Sequence, residues 1–184
     1  MLKEFKPTIF FLLKFIGFYL ATNFLYGLYV ESYAPQADPV THWVTDQTSA
    51  CLNVIGQHTT IQPENGGQNV LLMEGMREVL AVFEGCNGIN VFIVFAAFVV
   101  SFGRPGRKAL WFVPVGIVII HFSNIGRIGL LYFVTEHMPG FMYFAHKYLF
   151  TAVIYLVVFI LWYLWVSKIR KTFETNSPAP EAGP

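Results

Sequence analysis

The chain has 184 residues, of which 55% are hydrophobic and 17% aromatic but only 12% charged. That balance is too apolar for an ordinary soluble domain and points to an integral membrane protein. With a formal net charge of +1, nucleic acid is not an expected partner.

In chain order, residues 1–7 read as a cytoplasmic N-terminus. The first apolar run, Thr8–Val30, follows Lys3 and Lys6 as in a signal peptide. It is too long for one and lacks a clean small-x-small site, so a retained transmembrane helix over 8–30 is expected. Lys14 lies near its cytoplasmic end, where its stem can snorkel outward. Segment 31–87 is expected to be one long outer loop, broken at Pro35, Pro39 and Pro63-Glu-Asn-Gly-Gly67. Within it Trp43, Val44, Cys51, Leu52, Val54 and Ile55 recur at loosely helical spacing, which predicts a helix lying on the membrane surface. Val70–Phe83 predicts a second such helix leading into Cys86, because its apolar residues alternate with Glu74, Arg77 and Glu78.

The remainder reads as a transmembrane helix over 88–102, a basic cytoplasmic turn over 103–109, a helix over 110–133, an outer loop over 134–147 and a last helix over 148–166. A basic and then disordered cytoplasmic tail over 167–184 follows. The fold class is therefore an all-α integral membrane protein with about four transmembrane helices, each needing roughly 20 residues to cross the hydrocarbon, plus interfacial helices in the outer loop. Aromatic flanks on the runs suit interfacial anchoring.

Charge sets the expected orientation. Lys3 and Lys6, then Arg104, Arg107 and Lys108, then Lys168, Arg170 and Lys171 border the runs on one side. Segments 31–87 and 134–147 carry Glu31, Asp38, Asp46, Glu64, Glu74, Glu78, Glu84 and Glu136 against only Arg77 and Lys147. The positive-inside rule then puts both termini in the cytoplasm of a multi-pass plasma (inner) membrane protein and Cys86 on the extracytoplasmic side.

Cys86 stands in Glu84-Gly85-Cys86-Asn87-Gly88, where a charged stretch meets the run Ile89–Phe102. Arg127 is anomalous as a cation inside an apolar run, which costs several kcal/mol unless compensated. At about 1.5 Å per residue, Cys86 lies roughly 27 Å from Arg104, Arg127 roughly 28 Å from Lys108 and His146 about 33 Å from Lys168. All three fall near one depth, on three helices. Together they form a plausible acyl-transfer set: a thiolate nucleophile whose pKa a nearby cation lowers, a histidine to move the proton and an arginine to meet the oxyanion. Asn124, one turn before Arg127, shares its face and can orient it.

Each residue also has a plainer reading. Cys86 is equally a buried packing residue or a disulfide partner of Cys51; Arg127 a headgroup anchor; His146 an interfacial histidine; Glu84 a solvated carboxylate or a group that orients His146 or binds an acceptor. His121 is expected to make a helix-packing hydrogen bond. His137 is a loop residue and the alternative base. His42 and His58 lack metal-ligand spacing, and no cofactor or metal is expected.

In Glu84-Gly-Cys86-Asn87-Gly-Ile89 opening one span, Asn124-Ile-Gly-Arg127-Ile128 late in the next and His146 opening the last, the sequence resembles the exosortase/archaeosortase family, most of all its compact exosortase F type. The likeness covers about residues 74–166, the set being fairly specific as ordered although each motif is weak singly. The resemblance implies a membrane-embedded cysteine peptidase and transpeptidase with Cys86 as nucleophile and Arg127 and His146 beside it; Asn124, Glu84 and Asn87 are the expected supporting residues. It implies as partners secreted proteins ending in a short motif, a transmembrane helix and a basic tail, with a cell-surface acceptor for transfer. Many family members have more spans, and many carry a glycine four residues after the histidine, where this chain has Phe150. Two other readings stay open on sequence. One is a noncatalytic subunit of an export or assembly system, and the other a membrane thiol oxidoreductase using Cys51 and Cys86, although no C-x-x-C motif is present.

Overall fold

A computed structural model describes residues 2–102 and 106–176. Residues 103–105 of the expected basic turn and 177–184 of the expected disordered tail lie outside the described residues.

The first helix, α1 (Leu2–Glu31), continues through the whole first apolar run. Its interior polar side chains bond back onto its own backbone, Thr22 Oγ1 to the Phe18 carbonyl at 2.8 Å and Asn23 Nδ2 to the Tyr19 carbonyl at 3.0 Å. That removes the cost of facing lipid with unpaired polar groups. Helix α2 (Pro39–Val54) starts where Asp38 Oδ1 accepts from the amides of Val40 and Thr41 and Pro39 takes the first helical position.

The expected helix in the outer loop therefore exists, and one of its faces is buried against protein. Its buried stripe of Thr41, Val44, Thr45, Thr48, Ser49 and Leu52 packs along a later helix, α4 (Gly106–His137). Trp43 stacks on His121 with 4.8 Å between ring centroids, and Gln47 Oε1 lies 2.7 Å from His121 Nε2. The packing hydrogen bond expected for His121 is thus made to α2.

The second expected surface helix is instead a β-hairpin. Strands β1 (Thr59–Pro63), β2 (Val70–Glu74) and β3 (Arg77–Val82) form an antiparallel sheet in that order. β2 and β3 close over Gly75-Met76, with Glu74 opposite Arg77 and Gly75 at φ 60°. Glycine at the first position of a two-residue loop is a favoured hairpin turn. The sequence pattern misleads because a register shift between Leu72 and Met73 sets a bulge across the ladder. As a result Val79 and Leu80 are both buried, which breaks the period of two and imitates a helical stripe.

A 3₁₀ turn (Glu84–Cys86) then leads into α3 (Ile89–Ser101), followed by α4. Short helical pieces follow: a 3₁₀ turn (Pro139–Phe141), α5 (Met142–Phe144), a π turn (Ala145–Leu149) and α6 (Phe150–Asn176). The first residues of the expected disordered tail, 172–176, thus continue α6.

The chain is mostly helical. By length and composition three segments can cross a membrane: Phe5–Glu31, Arg107–His137 and Pro139–Ser167. By this measure a fourth span is not shown, because α3 has only 13 residues, about 20 Å of helix against the roughly 30 Å of a hydrocarbon core. Protein covers much of α3. It packs on α1, α4 and α6, and Phe95, Ala97 and Val99 have no exposed surface.

Two cores result. One joins Phe95 and Val99 of α3, Ala109 and Ile120 of α4, and Val158, Leu161 and Trp165 of α6. The other joins Val44 and Leu52 of α2, Leu72, Leu80 and Val82 of the sheet, Ile128 and Leu131 of α4, and Cys86. Cys86 therefore sits in the core beneath the sheet, at the head of α3.

The approach of α3 to α4 depends on Gly116, since a Cβ there would lie 2.2 Å from the buried Phe95 ring. Gly116→Ala is expected to displace that ring and destabilise the protein by about 1–3 kcal/mol, the usual range for overpacking. Thermal unfolding of the purified variant in detergent checks this; an unchanged midpoint would show that the ring has room to turn.

Candidate active site

The peptide of Cys86 is held before its side chain is considered. The Cys86 amide donates to the Phe83 carbonyl at 2.8 Å, closing the 3₁₀ turn. Its carbonyl accepts from Asn124 Nδ2 at 2.8 Å. Next, Asn87 Oδ1 accepts from the Ile89 amide at 3.0 Å, satisfying a donor at the start of α3. Gly88 follows at φ 90°, with its missing Cβ only 3.3 Å from Asn124 Nδ2. Both the left-handed backbone and the close contact call for glycine there.

With the backbone fixed, the sulfur meets two partners. Arg127 Nη2 donates to Cys86 Sγ at 3.4 Å, and His146 Nε2 lies 3.6 Å from the same sulfur. These lengths suit the large sulfur atom, which can accept from the guanidinium while its own proton faces the imidazole. The latter requires the neutral ring to carry its hydrogen on Nδ1. Arg127 Nη1 donates to Asn124 Oδ1 at 3.4 Å, so one amide group orients the guanidinium and also holds the Cys86 carbonyl. Arg127 Nε is buried without a hydrogen-bond partner among the described residues.

His146 reaches the sulfur from the π turn Ala145–Leu149, whose widened turn leaves its carbonyl to the Thr151 hydroxyl at 3.2 Å. π turns are enriched at functional positions because the extra residue re-aims a side chain.

The family-model comparison matches the transmembrane exosortase model over residues 8–164. The chain belongs to the transmembrane exosortase family. Comparison with curated proteins gave no match, and comparison with solved structures gave none either.

In this exosortase chain the residues singled out by sequence separate into two groups. Cys86, Arg127, His146, Asn124 and Asn87 come together. His137 does not: it is exposed, with Nδ1 3.1 Å from the carbonyl of Phe133. Glu84 supplies its backbone carbonyl to the Asn87 amide at 3.4 Å, and no hydrogen bond links its carboxylate to His146 among the described residues. Among the described residues no carboxylate is hydrogen-bonded to the imidazole. Cys51 and Cys86 are both free thiols, the first exposed on α2 and the second buried.

Three residues at this site escaped the sequence analysis. Asn87 Nδ2 donates to the Tyr26 hydroxyl at 2.8 Å and to Thr41 Oγ1 at 3.1 Å, and the Thr41 hydroxyl donates to the buried carboxylate of Asp38. Asp38-Pro39 was legible as a helix start, but nothing in the sequence pairs it with Asn87.

The electrostatics also differ from the simple expectation of a thiol acidified by a cation. Burial raises the Cys86 pKa above its ordinary value, and the charge and hydrogen bond of Arg127 offset only part of that rise. The resting sulfur is thus a thiol at neutral pH, and proton transfer to a base must accompany any attack. In a Cys51→Ser background, Cys86 is expected to react slowly with iodoacetamide at pH 7, its rate still climbing beyond the ordinary thiol range of about 8.5. Arg127→Gln removes a factor that lowers the pKa, so its profile should move to still higher pH. A profile that levels off below pH 8 would contradict this assignment.

Proposed function

We propose that this exosortase-family chain is a membrane-embedded cysteine peptidase and transpeptidase acting on the C-terminal sorting signals of secreted proteins. The observation carrying the reading is that one sulfur lies within hydrogen-bonding reach of both Arg127 and His146. Family membership supports the reaction class.

Orientation follows from charge and helix direction together. α1 brings Tyr26 to the site near its C-terminal end, α4 brings Arg127 late in its course, and α6 starts just after His146. The start of α1 and the far end of α6 therefore lie away from the site, on the side of the basic residues that flank the apolar runs at positions 3, 6, 107 and 108, which is cytoplasmic by the positive-inside rule. The site then faces the extracytoplasmic side of the inner membrane, with α3 as a short fourth crossing enclosed by the other helices. The compact motif order supports the F type.

A substrate whose transmembrane helix lies beside the bundle presents its scissile carbonyl at Cys86. His146 Nε2 takes the thiol proton as Sγ bonds to the carbonyl carbon, and the resulting oxyanion is stabilised by the guanidinium of Arg127. Collapse breaks the C–N bond, and the imidazolium returns its proton to the departing amine. The thioester on Cys86 then passes to water or to an amine on a cell-surface acceptor, with His146 accepting the attacking group's proton. Buried and neutral at rest, the thiol is activated only when a substrate carbonyl is present to be attacked. The basic tail of the substrate matches the cytoplasmic side by the same charge rule.

The test is to express Cys86→Ala beside the wild type and follow the size of secreted proteins that end in a helix and a basic tail. Cys86→Ala should abolish processing. His146→Ala should lower its rate by about 10²–10⁴, the usual worth of a general acid–base group. Arg127→Lys keeps the charge but loses the planar fork, and should lower it by roughly 10²–10³ as expected for a lost oxyanion donor. Cys51→Ser should be without effect, whereas loss of activity with that variant would favour thiol–disulfide chemistry. Normal processing by membrane-inserted Cys86→Ala would sink the peptidase reading in favour of a noncatalytic subunit.

A further inference from the structure

Four side chains from three distant segments meet behind the residue after the candidate nucleophile. Asp38 is 2% exposed, and Thr41 and Asn87 have no exposed surface. Asn87 reaches Tyr26 and Thr41, 61 and 46 residues earlier in the chain.

The order of donors in this chain follows from two fixed groups, the Asp38 carboxylate and the Ile89 amide. A carboxylate is an acceptor only, so Asp38 takes the amide hydrogens of Val40 and Thr41 and also the hydroxyl hydrogen of Thr41. With its hydrogen committed, Thr41 Oγ1 has only lone pairs to offer Asn87. The Asn87 amide must therefore turn its nitrogen to Thr41 and Tyr26, which leaves Oδ1 for the Ile89 amide. The Tyr26 hydroxyl, having accepted from Asn87, directs its hydrogen to the Glu84 carbonyl at 3.5 Å. Cys86 lies between the two residues so fixed, Glu84 and Asn87, while Asn124 holds its carbonyl from the other side.

We propose that the chain Asp38–Thr41–Asn87–Tyr26 is a positioning device for the Cys86 thiol, with the Asp38 carboxylate at one end and the Ile89 amide at the other fixing the direction of its hydrogen bonds. None of the four touches the sulfur; they act by fixing the 84–88 backbone from which Sγ reaches Arg127 and His146. The inference rests on Cys86 being the nucleophile and extends that reading to residues on α1 and α2. It gives α1 a role at the site that its packing against α3 does not explain. Buried, fully connected polar chains are stiff in this way because any reversal strands a donor or acceptor away from water.

Asp38→Asn is the discriminating variant. Asparagine caps a helix about as well as aspartate, so α2 keeps its start. Its amide nitrogen, however, faces the Thr41 hydroxyl with hydrogens, so the hydroxyl hydrogen loses its acceptor and either stays unpaired in the core or is met only if Asn87 turns over and abandons Ile89. The experiment uses the full chain with Cys51→Ser, in liposomes, and reads the pH profile of Cys86 alkylation by iodoacetamide. The charged or titratable groups around that sulfur are Arg127, His146 and Glu84.

Asp38→Asn and Thr41→Val should each move the profile to higher pH and slow alkylation at pH 8 by at least about threefold. Substrate processing should lose about tenfold in kcat with little change in KM, the scale of a lost hydrogen bond to a charged group. Thr41→Ser keeps the hydroxyl and should retain the wild-type profile. Wild-type profiles in Asp38→Asn and Thr41→Val, even with lowered melting temperatures, would overturn the proposal and leave the chain a purely structural role. Should either fail to accumulate, Tyr26→Phe decides: a shifted profile supports the device and an unshifted one overturns it. Alkylation needs no substrate, so normal processing by Cys86→Ala would defeat the peptidase reading while the alkylation profiles still report on the device.

Discussion

The contact between Arg127 and the Cys86 residue is the constraint on which the rest of this structure turns. An arginine in an apolar helix costs several kcal/mol, so it needs acceptors, and at this depth few exist. Here they are a sulfur and the side-chain oxygen of Asn124. Each acceptor must itself be held. Asn124 is held by the Cys86 carbonyl, and Cys86 by its 3₁₀ turn and the left-handed Gly88 that starts α3. The position of α3 against α4 is thus set at one end by a cation seeking partners and along its length by Phe95 entering the space left by Gly116.

Burial and charge pull the sulfur in opposite directions, and burial prevails. That result separates this site from one in which a cation simply generates a standing thiolate. A neutral thiol costs little in the core cluster of Val82, Ile128 and Leu131. A permanent thiolate there would incur the desolvation penalty of a buried charge. The arrangement keeps the sulfur quiet among apolar neighbours while leaving a proton acceptor in reach.

The long helices and the site triad were legible in the sequence for physical reasons that do not depend on packing. Apolar length is set by bilayer thickness, and a fixed rise per residue converts chain position into depth, which brought Cys86, Arg127 and His146 to one level. Asn124 followed from its spacing of three from Arg127. The sheet was hidden because the bulge at Val79 puts it and its neighbour Leu80 both into the core, so the stripe copied a helix. The bounds of α3 were read to within a residue at each end, but hydropathy cannot distinguish a neighbouring helix from lipid and so could not show that α3 is largely covered by protein. Asp38-Pro39 carries the signature of a helix start, but nothing in the sequence ties Tyr26, Asp38 and Thr41 to Asn87, since the bonds from Asn87 to Tyr26 and Thr41 join segments that only the folded chain brings together.

The π turn at Ala145–Leu149 has a consequence for how this chain can vary in length. One residue of α-helix corresponds to about 100° of rotation, so the extra residue acts as a phase adjuster between His146 and the buried face of α6. Loss of a single residue between Lys147 and Phe150 would let the turn relax to ordinary α geometry and swing the imidazole away from the sulfur, while every apolar contact farther along α6 stayed in register. Point changes on this stretch are therefore easier to accommodate than any insertion or deletion, and its length rather than its composition is what couples the last helix to the thiol.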